Sequence, residues 1–138
     1  MITEEDLIYF AGFFDGDGCI TISKHLGKEK PHFLALPITS KNKEILNWIQ
    51  SKFGGHVLLA TNGYWHWNIT CSKARDLLIK LYPYLKVKRK QAKYAVIFEN
   101  LKRIGFLRNE KGQFTRLSSA NVELREKIKQ KISTLNRS

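Results

Sequence analysis

Acidic residues are scarce in this chain: 12 Asp and Glu face 24 Lys and Arg across 138 residues, a formal net charge of +12 and a pI near 9.9. That excludes the balanced surface of an ordinary small-molecule enzyme and favours a polyanionic partner, whether DNA, RNA or an anionic membrane. Cysteine is nearly absent. Cys19 and Cys71 sit in apolar or β-like stretches with no Cys-x-x-Cys or other metal-ligand spacing. They read as reduced core residues of an intracellular protein. No apolar run approaches the roughly 20 residues that a membrane helix needs. The start, Met1-Ile2-Thr3-Glu4-Glu5-Asp6, is acidic where a signal peptide would be basic. Gly-x-Ser-x-Gly and Cys/His signatures are missing, which leaves serine and cysteine hydrolase chemistry without support. There is no Walker-A loop, so ATP dependence is not expected. The hydrophobic fraction is 43%, enough for a real core. The length fits a single domain over 1–138, with a core of about 1–104 and a basic C-terminal extension of about 105–138.

The positive charge is concentrated. Residues 1–85 carry 9 Lys/Arg against 8 Asp/Glu, whereas residues 86–138 carry 15 against 4. A solvated helix face explains one basic run; an imbalance spread over the whole C-terminal third points to a polyanion.

Thr3 is a good N-cap with Asp6 three residues later, so a first helix is expected over Leu7–Phe14, ending at Asp15-Gly16-Asp17-Gly18. Cys19 to His25 alternates as a half-buried strand, and Leu26 to Pro31 is a basic loop. Phe33 to Thr39 reads as a second strand, with Leu34, Leu36 and Ile38 on one face and Pro37 marking an edge or bulge. Ser40 or Asn42 can cap a helix over Lys43–Phe53, which Gly54-Gly55 stop. His56 to Thr61, Asn62-Gly63 and Tyr64 to Thr70 form a hairpin signal. Ser72 is expected to cap a helix through Leu81, and Pro83 breaks the chain. A basic helix over Lys86–Ile104, a loop over Gly105–Arg116 and a charged helix over Ser118–Leu135 complete an α+β order, αββαββα plus C-terminal helices.

Strand parity separates two faces. Trp65, Trp67 and Ile69 belong under the helices; Tyr64, His66, Asn68 and Thr70 share the other face, as Thr21, Ser23 and His25 do on the first strand. Such a face meets water in many antiparallel sheets. With this charge it also suits the DNA major groove, where polar side chains read base edges and Lys/Arg hold phosphates. Thr39, Lys41, Asn62, Lys28, Lys30, Arg89, Lys90, Lys93, Arg108, Lys111 and Arg116 are further candidates for DNA contact. Arg125, Lys127, Lys129 and Lys131 mix with Glu123 and Glu126, and suit a salt-bridged helix as readily as a contact surface.

The segment Phe10-Ala11-Gly12-Phe13-Phe14-Asp15-Gly16-Asp17-Gly18 carries the most information. Gly12 and Gly16 lie on one helical face and let another helix approach backbone to backbone. Asp17 falls at the helix tip. Against a second copy, two Asp17 carboxylates would meet across a two-fold axis and repel unless a divalent cation neutralised them. Hard oxygen ligands suit Mg²⁺, and adjacent metal ions can activate water and stabilise the leaving oxygen of a phosphodiester. A glycine-rich helix stop with a solvated Asp-Gly turn is the plainer explanation of Asp-Gly-Asp-Gly alone.

This nonapeptide resembles the LAGLIDADG signature of homing endonucleases. Ala11, Gly12, Asp15, Asp17 and Gly18 match it; Phe10, Phe13 and Phe14 replace aliphatic residues and Gly16 replaces an alanine. The strand pattern, the Asn-Gly hairpin and the segment from Pro83 to Ala92 are similar to the single-motif branch. The resemblance implies an αββαββα fold with a saddle-shaped antiparallel sheet. It implies a homodimer formed through the first helix (Phe10, Ala11, Gly12, Phe14, Asp15) and double-strand breaks in a long, nearly palindromic DNA site. Family members leave short 3′ overhangs and promote mobility of the intron or intein that encodes them, in organelles (chloroplast or mitochondrion) or in archaeal and bacterial cells. Asp17 matches the metal-binding acid, with Mg²⁺ or Mn²⁺ as the expected ion, and Gly16 would offer a backbone carbonyl to it. Lys88 matches the basic residue near the scissile phosphate. Asp15 is expected to act structurally near the helix end. Where relatives often carry Gln after the second strand to place solvent, this chain has Ser40, followed by Lys41.

Two other readings compete. One is a non-cutting DNA- or RNA-binding protein of the same fold, an RNA maturase or regulator; a regulator would be expected to lose the metal acid, which Asp17 retains. The other is a basic RNA-binding module, which would explain the charge but not two helix-tip aspartates beside packing glycines.

Overall fold

The computed structural model describes residues 1–23, 32–104, 106–108, 114–117 and 119–137, with the side chains of 102–104, 106–108, 114–117 and 119–121 outside that description. Helix α1 spans Glu4–Asp17. It starts where Thr3 predicts: Asp6 N–H donates to Thr3 Oγ1 at 3.1 Å and Thr3 N–H donates to Asp6 Oδ2 at 3.0 Å, a reciprocal capping box. The backbone hydrogen bond from Thr3 holds the Asp6 carboxyl below the usual aspartate range, and Lys52 at 3.5 Å lowers it further. The helix does not stop at Phe14. It runs through Asp15-Gly16-Asp17 to a cap at Gly18, whose N–H donates to Phe14 O at 2.8 Å. Gly18 has an ordinary backbone (φ −85°). It must be glycine because a Cβ there would run into the Phe14 ring.

Strand β1 (Thr21–Ser23) pairs antiparallel with β2 (Phe33–Ala35). The expected second strand is divided at Leu36-Pro37, and its later half is β3 (Ile38–Ser40). Proline cannot donate to the ladder, so pairing is interrupted there. Helix α2 (Lys43–Phe53) is capped by Asn42, whose Oδ1 accepts from Ile45 N–H at 3.2 Å. β4 (His56–Leu59) and β5 (Trp65–Asn68) form the expected hairpin, and β3, β5 and β4 make a three-stranded sheet in that order. Its turn has positive φ at Asn62 (57°) and Gly63 (78°), the geometry that Asn-Gly favours. The two sheets are linked by isolated bridges, Gly18 to Ile38 and Ala35 to Thr70.

Helix α3 (Cys71–Leu81) is preceded by Thr70, and no side chain caps it, so the expected Ser72 cap is not used. The chain enters it through Cys71 at φ 58°, a left-handed conformation that turns β5 into the helix. A short 3₁₀ turn at Tyr82–Tyr84 carries Pro83. Helix α4 (Arg89–Ile104) begins three residues later than expected. The segment expected to be a loop holds a hairpin, β6 (Phe106–Arg108) with β7 (Phe114–Leu117). Helix α5 (Ser119–Asn136) follows and packs on α4.

The core lies between the sheets and the helices. Phe10, Phe14, Leu34, Leu36, Ile38, Trp67, Leu78 and Phe98 are among its fully buried members. Ile128 and Ile132 join it from α5, so the basic C-terminal segment is packed into the fold. Arg125, on the inner face of α5, is buried, with its guanidinium 4.1 Å from the Phe98 ring centre and Nη2 donating to His32 O at 2.7 Å. Burial lowers its pKa, and Glu99 opposes that shift. Cys19 and Cys71 are free thiols, half-buried rather than in the core. Among the described residues, no helix is long and apolar enough to cross a membrane.

Candidate nuclease site and nucleic-acid interface

Helix α1 presents two faces. Phe10, Ala11 and Phe14 are turned inward and fully buried. Phe10 packs against Phe53 at 4.6 Å and Trp67 at 5.7 Å between ring centres. These three residues therefore give no surface to a second copy, contrary to the interface expected from the sequence. The large aromatic rings fill the chain's own core. The opposite face carries Ile8, Tyr9, Gly12 and Gly16, all exposed, with Phe13 half-buried beside them. A Cβ built on Gly12 or Gly16 would meet nothing within 4 Å. The outward stripe is thus apolar and open to close approach. The sequence contained that signal in the Gly12/Gly16 spacing, while Tyr9 and Phe13 were missed.

Asp15 and Asp17 are divided in role by the helix. The Asp15 carboxylate points back into the protein and accepts three backbone N–H groups, from Lys86 at 2.7 Å, Val87 at 3.2 Å and Lys88 at 3.1 Å. It satisfies donors just before α4, as a helix cap does, but from a distant part of the chain. Lys88 answers with Nζ donating to Asp15 O at 2.7 Å. Asp17 is exposed at the end of α1, and among the described residues no hydrogen bond or ion pair engages its carboxylate. Lys88 is therefore tied to a carbonyl two positions before Asp17. Beside them is a cavity of about 540 Å³ lined by Gly18, Cys19, the segment Lys86–Gln91, Leu135 and Asn136. Asn136 Nδ2 donates to Ile20 O at 2.8 Å, so the end of α5 forms one wall.

Ser40 is half-buried, and its Oγ accepts Asn42 N–H at 3.0 Å, a local turn leading into α2. It pairs in register with Trp65, on the opposite strand parity from Thr39. Its hydroxyl already has a structural task that the sequence did not reveal.

The polar sheet face is assembled as the parity predicted. Thr39, His66 and Leu58 lie side by side across β3, β5 and β4. Thr39 Oγ1 is 3.1 Å from His66 Nδ1. Leu58 is 65% exposed, an apolar side chain on an otherwise polar face that sequence reasoning overlooked; its register opposite His66 was the available signal. Asn62 and Tyr64 are exposed at the hairpin end, and Lys41 Nζ sits 5.2 Å from the Tyr64 ring centre. Asn68 is half-buried, and its Oδ1 is buried without a hydrogen-bond partner. Thr21 and Ser23 are half-buried; the Thr21 hydroxyl donates to Ala35 O at 3.4 Å. Arg89 and Lys90 are exposed on the cavity rim, with Arg89 4.9 Å from the Tyr82 ring centre. His25, Lys28, Lys30 and Lys111 lie outside the described residues. Arg108 and Arg116 fall in β6 and β7, where only the backbone is described.

An exposed acid at the helix tip, a lysine fastened to the same helix end and a sheet with one polar face are thus built into one chain. The family model described as "LAGLIDADG endonuclease" matches residues 10–105, and the chain belongs to that family. No curated protein matches the chain. Among solved structures it is similar to the homing endonuclease I-CvuI, determined in complex with its target in the presence of calcium. The TM-score is 0.79 with 23% identity, covering 95% of this chain and 82% of the other. It is also similar to I-Vdi141I, an archaeal intron-encoded homing endonuclease complexed with DNA, with TM-score 0.78, 19% identity and coverage of 96% and 86%. A third is the homing endonuclease I-TnaI, with TM-score 0.67, 19% identity and coverage of 99% and 96%. At these identities the likeness establishes the fold: mixed α and β, with antiparallel sheets and C-terminal helices.

Proposed function

We propose that this chain is a site-specific homing endonuclease, acting as a homodimer that makes a metal-dependent double-strand break in a long, nearly palindromic DNA site. One observation carries the reading. Lys88 Nζ is fastened at 2.7 Å to the carbonyl of Asp15, two residues from the unengaged, exposed Asp17 carboxylate. A cation fastened to the same helix end that carries the acid, at the edge of a cationic cavity, suits phosphodiester chemistry.

Among the described residues no group of three or more His, Cys, Asp or Glu could hold a metal ion. A single exposed carboxylate, Asp17, with the neighbouring Gly16 carbonyl suits Mg²⁺ or Mn²⁺, which bind through one or two carboxylates plus water and substrate phosphate. Asp17 and the Gly16 carbonyl would hold the ion, and a second copy across α1 would bring the second carboxylate. When bound, the ion supplies charge neutralisation at the scissile phosphate. The chain's own residues do the rest. The Lys88 ammonium stabilises negative charge developing on the phosphate and eases proton transfer through nearby water. Asp15 holds Lys88 in position. The Ser40 hydroxyl, already accepting one N–H, keeps its proton for solvent. Helix approach runs through Gly12 and Gly16, with Tyr9 and Phe13 flanking. The face bearing Thr39, His66, Asn68 and Tyr64 enters the major groove, while Thr21, Ser23, Lys41 and Asn62 lie towards its edges. Arg89 and Lys90 hold phosphates.

The test is cleavage of a library of duplex sites by the purified protein, with Mg²⁺ and with EDTA. Discrete Mg²⁺-dependent double-strand cuts at a near-palindromic site are expected. Tight duplex binding without cutting in any divalent metal would overturn the nuclease reading in favour of a non-cutting binder.

A further inference from the structure

We propose that the groove between α4 and α5 is a second phosphate-binding surface, which receives the sugar–phosphate backbone of the substrate duplex beyond the cleft at Asp17 and Lys88. The inference rests on the endonuclease reading and adds a surface remote from the sheet face.

The groove encloses about 890 Å³ and is lined by Lys90, Lys93, Lys127 and Lys131, with Tyr94 and Gln130 between them. The cavity beside Asp17 is lined by Lys86, Lys88, Arg89 and Lys90. The two concavities share Lys90 and Leu135, so they form one continuous track. Among the described residues no carboxylate lines either of them. Lysines facing one another across two packed helices repel, and an anion laid between them relieves that repulsion. The acids of α5 do not cancel this charge. Lys127 reaches Glu123 at 3.7 Å, but both side chains are about three-quarters exposed (72% and 74%), and such a pair contributes little. Lys129 pairs with Glu126 and is not among the residues lining the groove. Lys131 Nζ lies 5.5 Å from the Tyr94 ring centre, which steadies the ammonium without neutralising it. Continuity with the cleft selects the occupant: a backbone contacted at Lys88 and Arg89 meets Lys90 next, and then the groove.

The test compares two variants with equal loss of charge. Lys93→Gln/Lys131→Gln removes groove cations, and Lys73→Gln/Lys80→Gln removes exposed cations of α3. Affinity for a random-sequence duplex is measured in EDTA across a salt series. Each phosphate contact contributes about 0.9 to the slope of log affinity against log salt. The groove variant is expected to lose about 1.8 from that slope per bound protomer, about 3.6 for the dimer, and the α3 variant to keep the wild-type slope. A groove variant with the wild-type slope, or equal losses in both variants, overturns the assignment. So does a loss confined to folded RNA. If the wild type cuts duplex with Mg²⁺ while the groove variant keeps its slope, only the groove assignment fails. If the wild type shows neither salt-dependent duplex binding nor cutting, the endonuclease reading fails and takes the groove with it.

Discussion

Asp15 and Lys88, 73 positions apart, hold each other in place: the carboxylate of one accepts the N–H of the other at 3.1 Å, and the ammonium returns to the carbonyl of the first at 2.7 Å. The pair joins the end of α1 to the start of α4. Asp15→Ala is expected to lower stability by about 2–3 kcal/mol, because three backbone donors lose a charged acceptor. Urea unfolding measures that loss. Cleavage should fall further than the unfolded fraction explains, since the backbone of Lys86–Lys88 loses the carboxylate that seats it, although Lys88 Nζ keeps the carbonyl of residue 15. A variant that is destabilised yet cuts at the wild-type rate per folded molecule would separate the anchor from catalysis.

Asp17→Asn keeps the size of the side chain and removes its charge. Single-turnover cleavage should drop by roughly a thousandfold or more, equivalent to several kcal/mol of lost charge stabilisation. Duplex affinity measured in the same buffer should stay within a fewfold of wild type. Cutting at the wild-type rate would remove Asp17 from the site.

Gly12 sits mid-helix, where glycine costs about 1 kcal/mol relative to alanine. A Cβ there would meet nothing within 4 Å among the described residues. Gly12→Ala should therefore stabilise an isolated chain by about 0.5–1 kcal/mol. Gly12→Leu should leave a folded protein that sediments as a monomer, because the side chain blocks helix approach. A persistent dimer would place the interface on another surface.

The capping box makes a pH prediction. Asp6 has its pKa lowered by the backbone hydrogen bond from Thr3, with Lys52 assisting. A depressed folded pKa gives stability that is present above the unfolded value and lost as pH falls through the folded one. Acid titration of the melting temperature should therefore show a loss at and below the ordinary aspartate range that Asp6→Asn removes. At neutral pH, Thr3→Ala should cost about 1 kcal/mol. Equal acid slopes in wild type and Asp6→Asn would rule out the box as their source.

Local rules made much of this structure legible. Thr3 with Asp6, Asn42 before Lys43 and Asn62-Gly63 each act within a few residues, and each appears where the sequence puts it. Parity also served well, because Trp67 and His66 must face opposite ways in a strand. What escaped was decided by distant contacts. The LAGLIDADG-like segment looks like a helix ending in a turn, but helix α1 continues because its glycines face outward and Asp15 finds partners at 86–88. Phe10, Ala11 and Phe14 were assigned to an interface by resemblance, and all three are fully buried in the chain's own core, Phe10 against Phe53 and Trp67. The hairpin at β6 and β7 lacks alternating apolar residues, so its pairing was hidden in a polar segment. The α5 lysines divide in a way that the sequence could not show: Lys129 pairs with Glu126, whereas Lys127 and Lys131 line the groove beside α4.

The sheet alternates two independent vocabularies along the same strands. Ile38, Val57 and Trp67 belong to the side that holds the fold together, and Thr39, Leu58 and His66 to the side facing away from it. Under the proposed function, a lineage can therefore change the bases it recognises without rebuilding its core. Thr39 and His66 are hydrogen-bonded, so they should drift as a pair, while Leu58 can vary alone. A mobile element whose host site mutates has such a route for following it.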